Sequence, residues 1–164
     1  RGAIGEVGER DVRFLAPSPD APPALAGPLD STVPVVGSHW GVDPDLVDWY
    51  LGRGADGFVV EASGAGNVNG ALAEGLGRAL RAGLPVVVAS RCRRGEVAPI
   101  YGGVGGFATL HAAGAVSSGG LSTGKARLAL QLALGATRGQ PAQLSASGLF
   151  ERLATPTWTG GRQR

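Results

Sequence analysis

Short apolar runs alternate with amphipathic stretches from Val33 onward, and this alternation predicts the fold class. Val33-Pro34-Val35-Val36, Gly57-Phe58-Val59-Val60-Glu61-Ala62 and Pro85-Val86-Val87-Val88-Ala89 are short, rich in β-branched residues and almost free of charge. Runs of that kind are strands covered on both faces of a sheet. Gly114-Ala115-Val116 reads as a short fourth strand. Asp43-Pro44 places a capping aspartate ahead of a proline suited to the first helical position. Leu46, Val47, Tyr50 and Leu51 then share one face of a helix that Gly52 or Gly54 closes. Leu72, Leu76 and Leu80, spaced four apart, set a second helix at about residues 70–82. Ser122-Thr123 opens a third, at about residues 124–136. Its Leu128, Leu130, Leu132 and Leu134 point in several directions, which predicts burial on more than one face. A weaker helical pattern covers residues 141–153, and from Thr155 the chain reads as a frayed tail.

Strands that alternate with helices imply a parallel sheet with helices on both faces, an α/β three-layer sandwich. Right-handed crossovers bring the C-terminal ends of the strands to one edge, where a ligand site belongs. The loops leaving that edge begin at Ser38-His39, Ser63-Gly64 and Ser90-Arg91, and the last of them is long, running to about Gly106. Upstream, residues 1–15 read as a hairpin turning at Gly8-Glu9-Arg10-Asp11. Residues 16–31 hold Pro17, Pro19, Pro22, Pro23 and Pro28 with little periodicity, the signature of a stiff linker.

Composition narrows the choice of partners. The chain has 164 residues, the length of one domain, and 43% of them are hydrophobic against 17% charged, enough to bury a core. A net charge of +2 without a basic block excludes a nucleic-acid binder that works by neutralising many phosphates. The single Cys92 excludes a disulfide scaffold, and no apolar run reaches the roughly 18 residues that a membrane helix needs. The chain opens Arg1-Gly2-Ala3-Ile4, has no Met and shows no leader pattern. The expectation is a part of a longer, cytoplasmic protein.

Glycine, at 29 residues, clusters just beyond the apolar runs. In Glu61-Ala62-Ser63-Gly64-Ala65-Gly66-Asn67-Val68-Asn69-Gly70, a strand end, a glycine turn and a helix start succeed one another. Such a loop lets backbone approach a ligand and directs free N–H groups at an anion, carboxylate or phosphate alike. Asn67 and Asn69 both suit an N-cap, so a capping role for the two stands beside the binding role. A dinucleotide fingerprint fails, because Asn69 occupies the third glycine position and Arg91 stands where an acidic residue is needed. No Cys, His, Asp and Glu cluster has metal-ligand spacing. His111 reads as a packed residue with a satisfied ring, and Cys92, although flanked by Arg91, Arg93 and Arg94, lacks a placeable catalytic partner.

Taken in order, several segments match one family: Gly54-Ala55-Asp56-Gly57-Phe58-Val59-Val60, Gly64-Ala65-Gly66-Asn67, Gly83-Leu84-Pro85-Val86-Val87-Val88-Ala89-Ser90-Arg91, Tyr101-Gly102-Gly103 and Gly124-Lys125-Ala126-Arg127-Leu128-Ala129-Leu130. The chain resembles the C-terminal domain of bacterial-type L-asparaginases over roughly residues 33–153. Residues 1–31 resemble the end of the larger N-terminal domain with its linker, leaving residues 32–164 as the C-terminal domain. The resemblance implies an amidohydrolase that turns L-asparagine into L-aspartate and ammonia without a cofactor, with L-glutamine as the alternative substrate. It implies a threonine nucleophile and a Thr-Asp-Lys group on the N-terminal domain, motifs this chain lacks. It also implies a homo-oligomer, a dimer or dimer of dimers, in which this domain completes a neighbouring subunit's site. Asn67, with Gly66 beside it, then contacts the bound amino acid. Ala65 stands where the family often has asparagine. A glutamate that some members carry in the loop after the Ser-Arg strand has no counterpart, since Glu96 falls early in that loop and Gly102 stands at the expected distance from Asn67. The residues by themselves leave two other readings open, a stand-alone α/β module binding a nucleotide or small anion, and a degenerate domain kept for oligomerisation.

Overall fold

The structure, a computed structural model, describes residues 5–7, 12–14, 25–43, 45–138 and 145–154. The strands β1 (Gly5–Val7) and β2 (Val12–Phe14) pair antiparallel with Val7 opposite Val12, the expected hairpin. It is a unit apart from the body formed by residues 24–155.

In that body, β3 (Val35–Gly37), β4 (Phe58–Ala62), β5 (Val86–Ser90) and β6 (Val116–Ser117) form a four-stranded parallel sheet. Side chains alternate between its faces. Val36, Phe58, Val60, Val86 and Val88 face α1 (Leu46–Leu51), α2 (Gly70–Arg81) and α3 (Phe107–Ala112). Val59, Val87, Ala89 and Val116 face α4 (Thr123–Thr137) and α5 (Ala146–Ala154). The three layers are those the sequence predicts. None of the described helices is long and apolar enough to cross a membrane.

Spatial order follows chain order, β3-β4-β5-β6, so the sheet never reverses. The three crossover helices therefore share one face, and α4 with α5 must return to cover the other. A sheet wound in one direction has no topological switch point, and the site has to be built from loops at the strand ends.

Three elements differ from expectation. The first helix starts at Leu46 with Asp45 at its cap, two residues beyond Asp43, and Pro44 lies outside the described residues. The Asp43 carboxylate still accepts the Asp45 N–H at 2.9 Å, a local bond of the kind aspartate makes at helix starts. α3 has no counterpart in the sequence pattern, because six residues are too few to show a period. Burial of Phe107 and Leu110 holds it rather than propensity. α4 is covered by the sheet at Ala126, Leu130 and Ala133 and by α5, yet Leu128 stays 52% exposed, so one of its apolar directions faces outward. Residues 141–144, at the start of the last predicted helix, and residues 155–164 lie outside the described residues.

Residues 27–33 are strapped across α4. Arg127 Nε donates to Val33 O at 2.8 Å, Gln131 Nε2 to Ser31 O at 3.0 Å, and Arg138 Nη1 to the Asp30 carboxylate at 2.8 Å. At the end of the strap Gly27 and Gly135 meet backbone to backbone, where a Cβ on either would overlap the other segment.

Candidate functional site

β4 ends in a closed turn. The Asn67 N–H donates to Ser63 O at 2.9 Å, the Ser63 N–H donates to Asn67 O at 3.0 Å, and the Gly66 N–H donates to Ser63 O at 3.1 Å. Gly64 (φ +55) and Gly66 (φ +108) occupy the left-handed region that side chains disfavour. Gly66 has a second reason to be glycine, since a Cβ there would lie 2.9 Å from Val97 Cγ1 and 3.0 Å from Phe107 Cβ. Its N–H is taken up within the turn, so Gly66 acts by letting the turn close against that apolar floor.

The structure separates the two asparagines. Asn69 caps α2, its side-chain oxygen accepting the Ala71 N–H at 2.9 Å, while its own N–H donates to Ser38 Oγ at 2.8 Å. Asn67 caps nothing. Its Oδ1 is buried and has no hydrogen-bond partner among the described residues. A buried carbonyl oxygen left unpaired is destabilising by about 1–3 kcal/mol, so such groups call for an explanation.

Neighbouring elements hold the turn in place. Ser90, the last residue of β5, donates from Oγ to Gly64 O at 2.8 Å, and the Ala98 N–H donates to Ala65 O at 3.1 Å. The Val68 N–H donates to Gly105 O at 2.8 Å, joining the far end of the 91–106 loop to the start of α2. Arg91 reaches across the strand ends and donates to Ser38 O and Glu61 O, tying β3, β4 and β5 together.

A cleft of about 350 Å³ opens on the α4 side of the same edge, lined by Glu61, Arg91, Cys92, Arg93, Ser118 and Thr123 among others. Asn67 is not among its walls. Ser122, the predicted cap of α4, makes no side-chain cap bond, and Thr123 Oγ1 instead donates to Glu61 Oε1 at 3.2 Å. The exposed Cys92 thiol is pushed below the ordinary thiol range, first by the Gly64 backbone N–H and also by the Arg91 guanidinium. Because Cys92 is the single cysteine, its alkylation by iodoacetamide can be followed without interference. The rate should rise with pH through a midpoint below that of a free thiol, about 8.5. A midpoint at or above that value would show that the Gly64 N–H does not reach the sulfur.

Neither histidine pairs with Cys92. His111 Nδ1 lies 2.9 Å from Ala115 O with its ring 5.5 Å from Phe107, so its ring is satisfied although it sits at the surface. His39 Nδ1 bonds to Trp40 O. Among the described residues no group of three His, Cys, Asp or Glu side chains could hold a metal ion.

Although the family resemblance singles out Asn67, the pattern of residues by itself places Asn67 and Gly66 in a candidate ligand loop without telling Asn67 from Asn69. It also misses Ser38, Ser90 and Gly105, which hold the loop through contacts 26 to 37 residues away in the chain. The serines at strand ends were the one available signal.

Several known proteins are similar to this chain in sequence. A probable L-asparaginase of Deinococcus radiodurans is 41% identical over 98 residues, 58% of this chain and 30% of that protein. The D subunit of a glutamyl-tRNA(Gln) amidotransferase from Methanopyrus kandleri is 36% identical over 78 residues, 48% of this chain and 17% of the relative. Its namesake in Methanothermobacter thermautotrophicus is 33% identical over 73 residues, 44% and 17% of the two chains. The chain thus matches less than a third of the length of each relative. Residues 32–146 match the glutaminase/asparaginase C-terminal domain, and the chain belongs to that family.

Proposed function

We propose that this domain completes the substrate site of an amidohydrolase acting on L-asparagine, with L-glutamine as the alternative substrate. The site lies in a neighbouring subunit of a homo-oligomer, a dimer or dimer of dimers. The nucleophile and base belong to a separate N-terminal domain, and residues 1–31 are the end of that domain and its linker. The observation that carries the reading is the buried, unpartnered Oδ1 of Asn67. An acceptor oxygen without a partner calls for a donor, and the α-ammonium or side-chain amide of an amino acid is one. Gly66 contributes by seating the turn so that the carboxamide is presented at a fixed place.

The relatives support amide chemistry in two forms, since one is named an asparaginase and others are named as part of an amidotransferase. The second name favours a further reading, in which the same asparagine serves an amidotransferase.

The test is ammonia release from L-asparagine and from L-glutamine by the protein its gene encodes, wild type and Asn67→Ala. The variant should lose about 5- to 100-fold in kcat/KM, the loss of one hydrogen bond to a charged or amide donor. Its stability should be unchanged or raised, because the substitution removes an unpaired oxygen rather than a native bond. A kcat/KM within twofold of wild type would rule out the role. Activity dependent on glutamyl-tRNA would favour the amidotransferase reading.

A further inference from the structure

Gly64 is the loosest link in the turn that carries Asn67. It has φ +55, nothing lies within 4 Å of where its Cβ would be, and the turn's own bonds run between Ser63, Gly66 and Asn67. A glycine in open space has broad conformational freedom, so local sequence alone does not fix the angle at which the turn leaves the sheet. Contacts from β5 fix it. Ser90 Oγ donates to Gly64 O at 2.8 Å and accepts the Cys92 N–H at 3.1 Å, so the hydroxyl is held at both ends. The next external bond to the turn, Ala98 N–H to Ala65 O, is backbone to backbone. Ser90 is itself anchored by the β4–β5 ladder, where it pairs with Ala62, the last residue before the turn. One hydroxyl thus ties the Asn67 turn to the rigid end of the adjacent strand.

We propose that Ser90 is a positioning residue for substrate binding, acting through Gly64 to hold the Asn67 carboxamide in place. The inference rests on the reading of Asn67 given above. Ser90 does not touch substrate, and its effect reaches the substrate only through Asn67.

The experiment is a double-substitution cycle in the protein its gene encodes, with L-asparagine as substrate and Ser90→Ala, Asn67→Ala, the pair, and Ser90→Thr as variants. Losing one neutral hydrogen bond that orders the turn should lower kcat/KM about 3- to 10-fold. The loss should fall mainly on KM, since Asn67 holds ground state and transition state alike. Ser90→Thr keeps the hydroxyl and should restore most of the activity. In the Asn67→Ala background Ser90→Ala should change kcat/KM less than about 1.5-fold, because the group being positioned is gone. An equal loss in both backgrounds would show that Ser90 acts on something other than Asn67 and would overturn the proposal. So would wild-type kinetics for Ser90→Ala, or a threonine variant no better than alanine. A silent Asn67→Ala is the separate failure of the substrate-site reading, and it removes this proposal with it.

Discussion

Gly105→Ala should lower the free energy of unfolding by about 3 kcal/mol or more, an amount that a surface loop rarely commands. Three effects act together at this position. Gly105 has φ +85, where an L side chain is strained by about 1–2 kcal/mol. Its Cβ would overlap the Val68 carbonyl oxygen, which is backbone and cannot rotate away. Moving the two segments apart breaks the bond from the Val68 N–H to Gly105 O, worth about 1 kcal/mol. Gly103→Ala is the control. Gly103 has nearly the same backbone, φ +78, but nothing lies within 4 Å of its Cβ position. It should show the strain alone, about 1–2 kcal/mol. Urea unfolding of the two variants separates backbone strain from close approach, and equal losses would mean that the contact with Val68 is not made in solution. The same substitution should also disturb Asn67, which precedes Val68 in the chain.

Phe150→Ala should be destabilising by about 3–5 kcal/mol, the range for removing a large, fully buried aromatic side chain. Phe150 lies on α5 and packs with Leu149 and Ala154 into the core layer that contains Val87, Val116, Leu130 and Ala133. The strands on that face have no crossover helix above them, so α5 is part of the second covering layer rather than an appendage. Arg152 on the same helix is exposed, and Arg152→Ala should change stability by less than about 0.5 kcal/mol. Thermal or urea unfolding checks both. A loss below about 1 kcal/mol for Phe150→Ala, well under the usual cost of such a truncation, would show that α5 is not seated on the sheet.

Both substitutions fall where the sequence reads as weak, a glycine loop and a faint terminal helix. Interaction partners explain this. The energy at Gly105 comes from Val68 and that at Phe150 from residues of β5, β6 and α4.

Local pattern is enough to place the layers. The apolar runs Phe58-Val59-Val60 and Val86-Val87-Val88 read as strands covered on both faces, and Leu72, Leu76 and Leu80 present one helical face to them. Local pattern also makes the loop from Ser63 to Asn67 a tight glycine turn at a strand end, because glycine at two nearby positions permits backbone that other residues avoid. A period of two or of three to four expresses such features directly. Which of the two asparagines is free depends instead on long-range packing. Asn69 and Asn67 are equally good caps by composition, and the choice turns on where α2 begins and on Ser38, 31 residues upstream of Asn69, receiving its N–H. Packing likewise accounts for α3, whose six residues are held by burial rather than by propensity. It alone brings Ser90 to Gly64, across a helix and a strand. Periodicity records which face of an element is apolar, but not which distant backbone group that element will meet, and the Asn67 turn is set by such meetings.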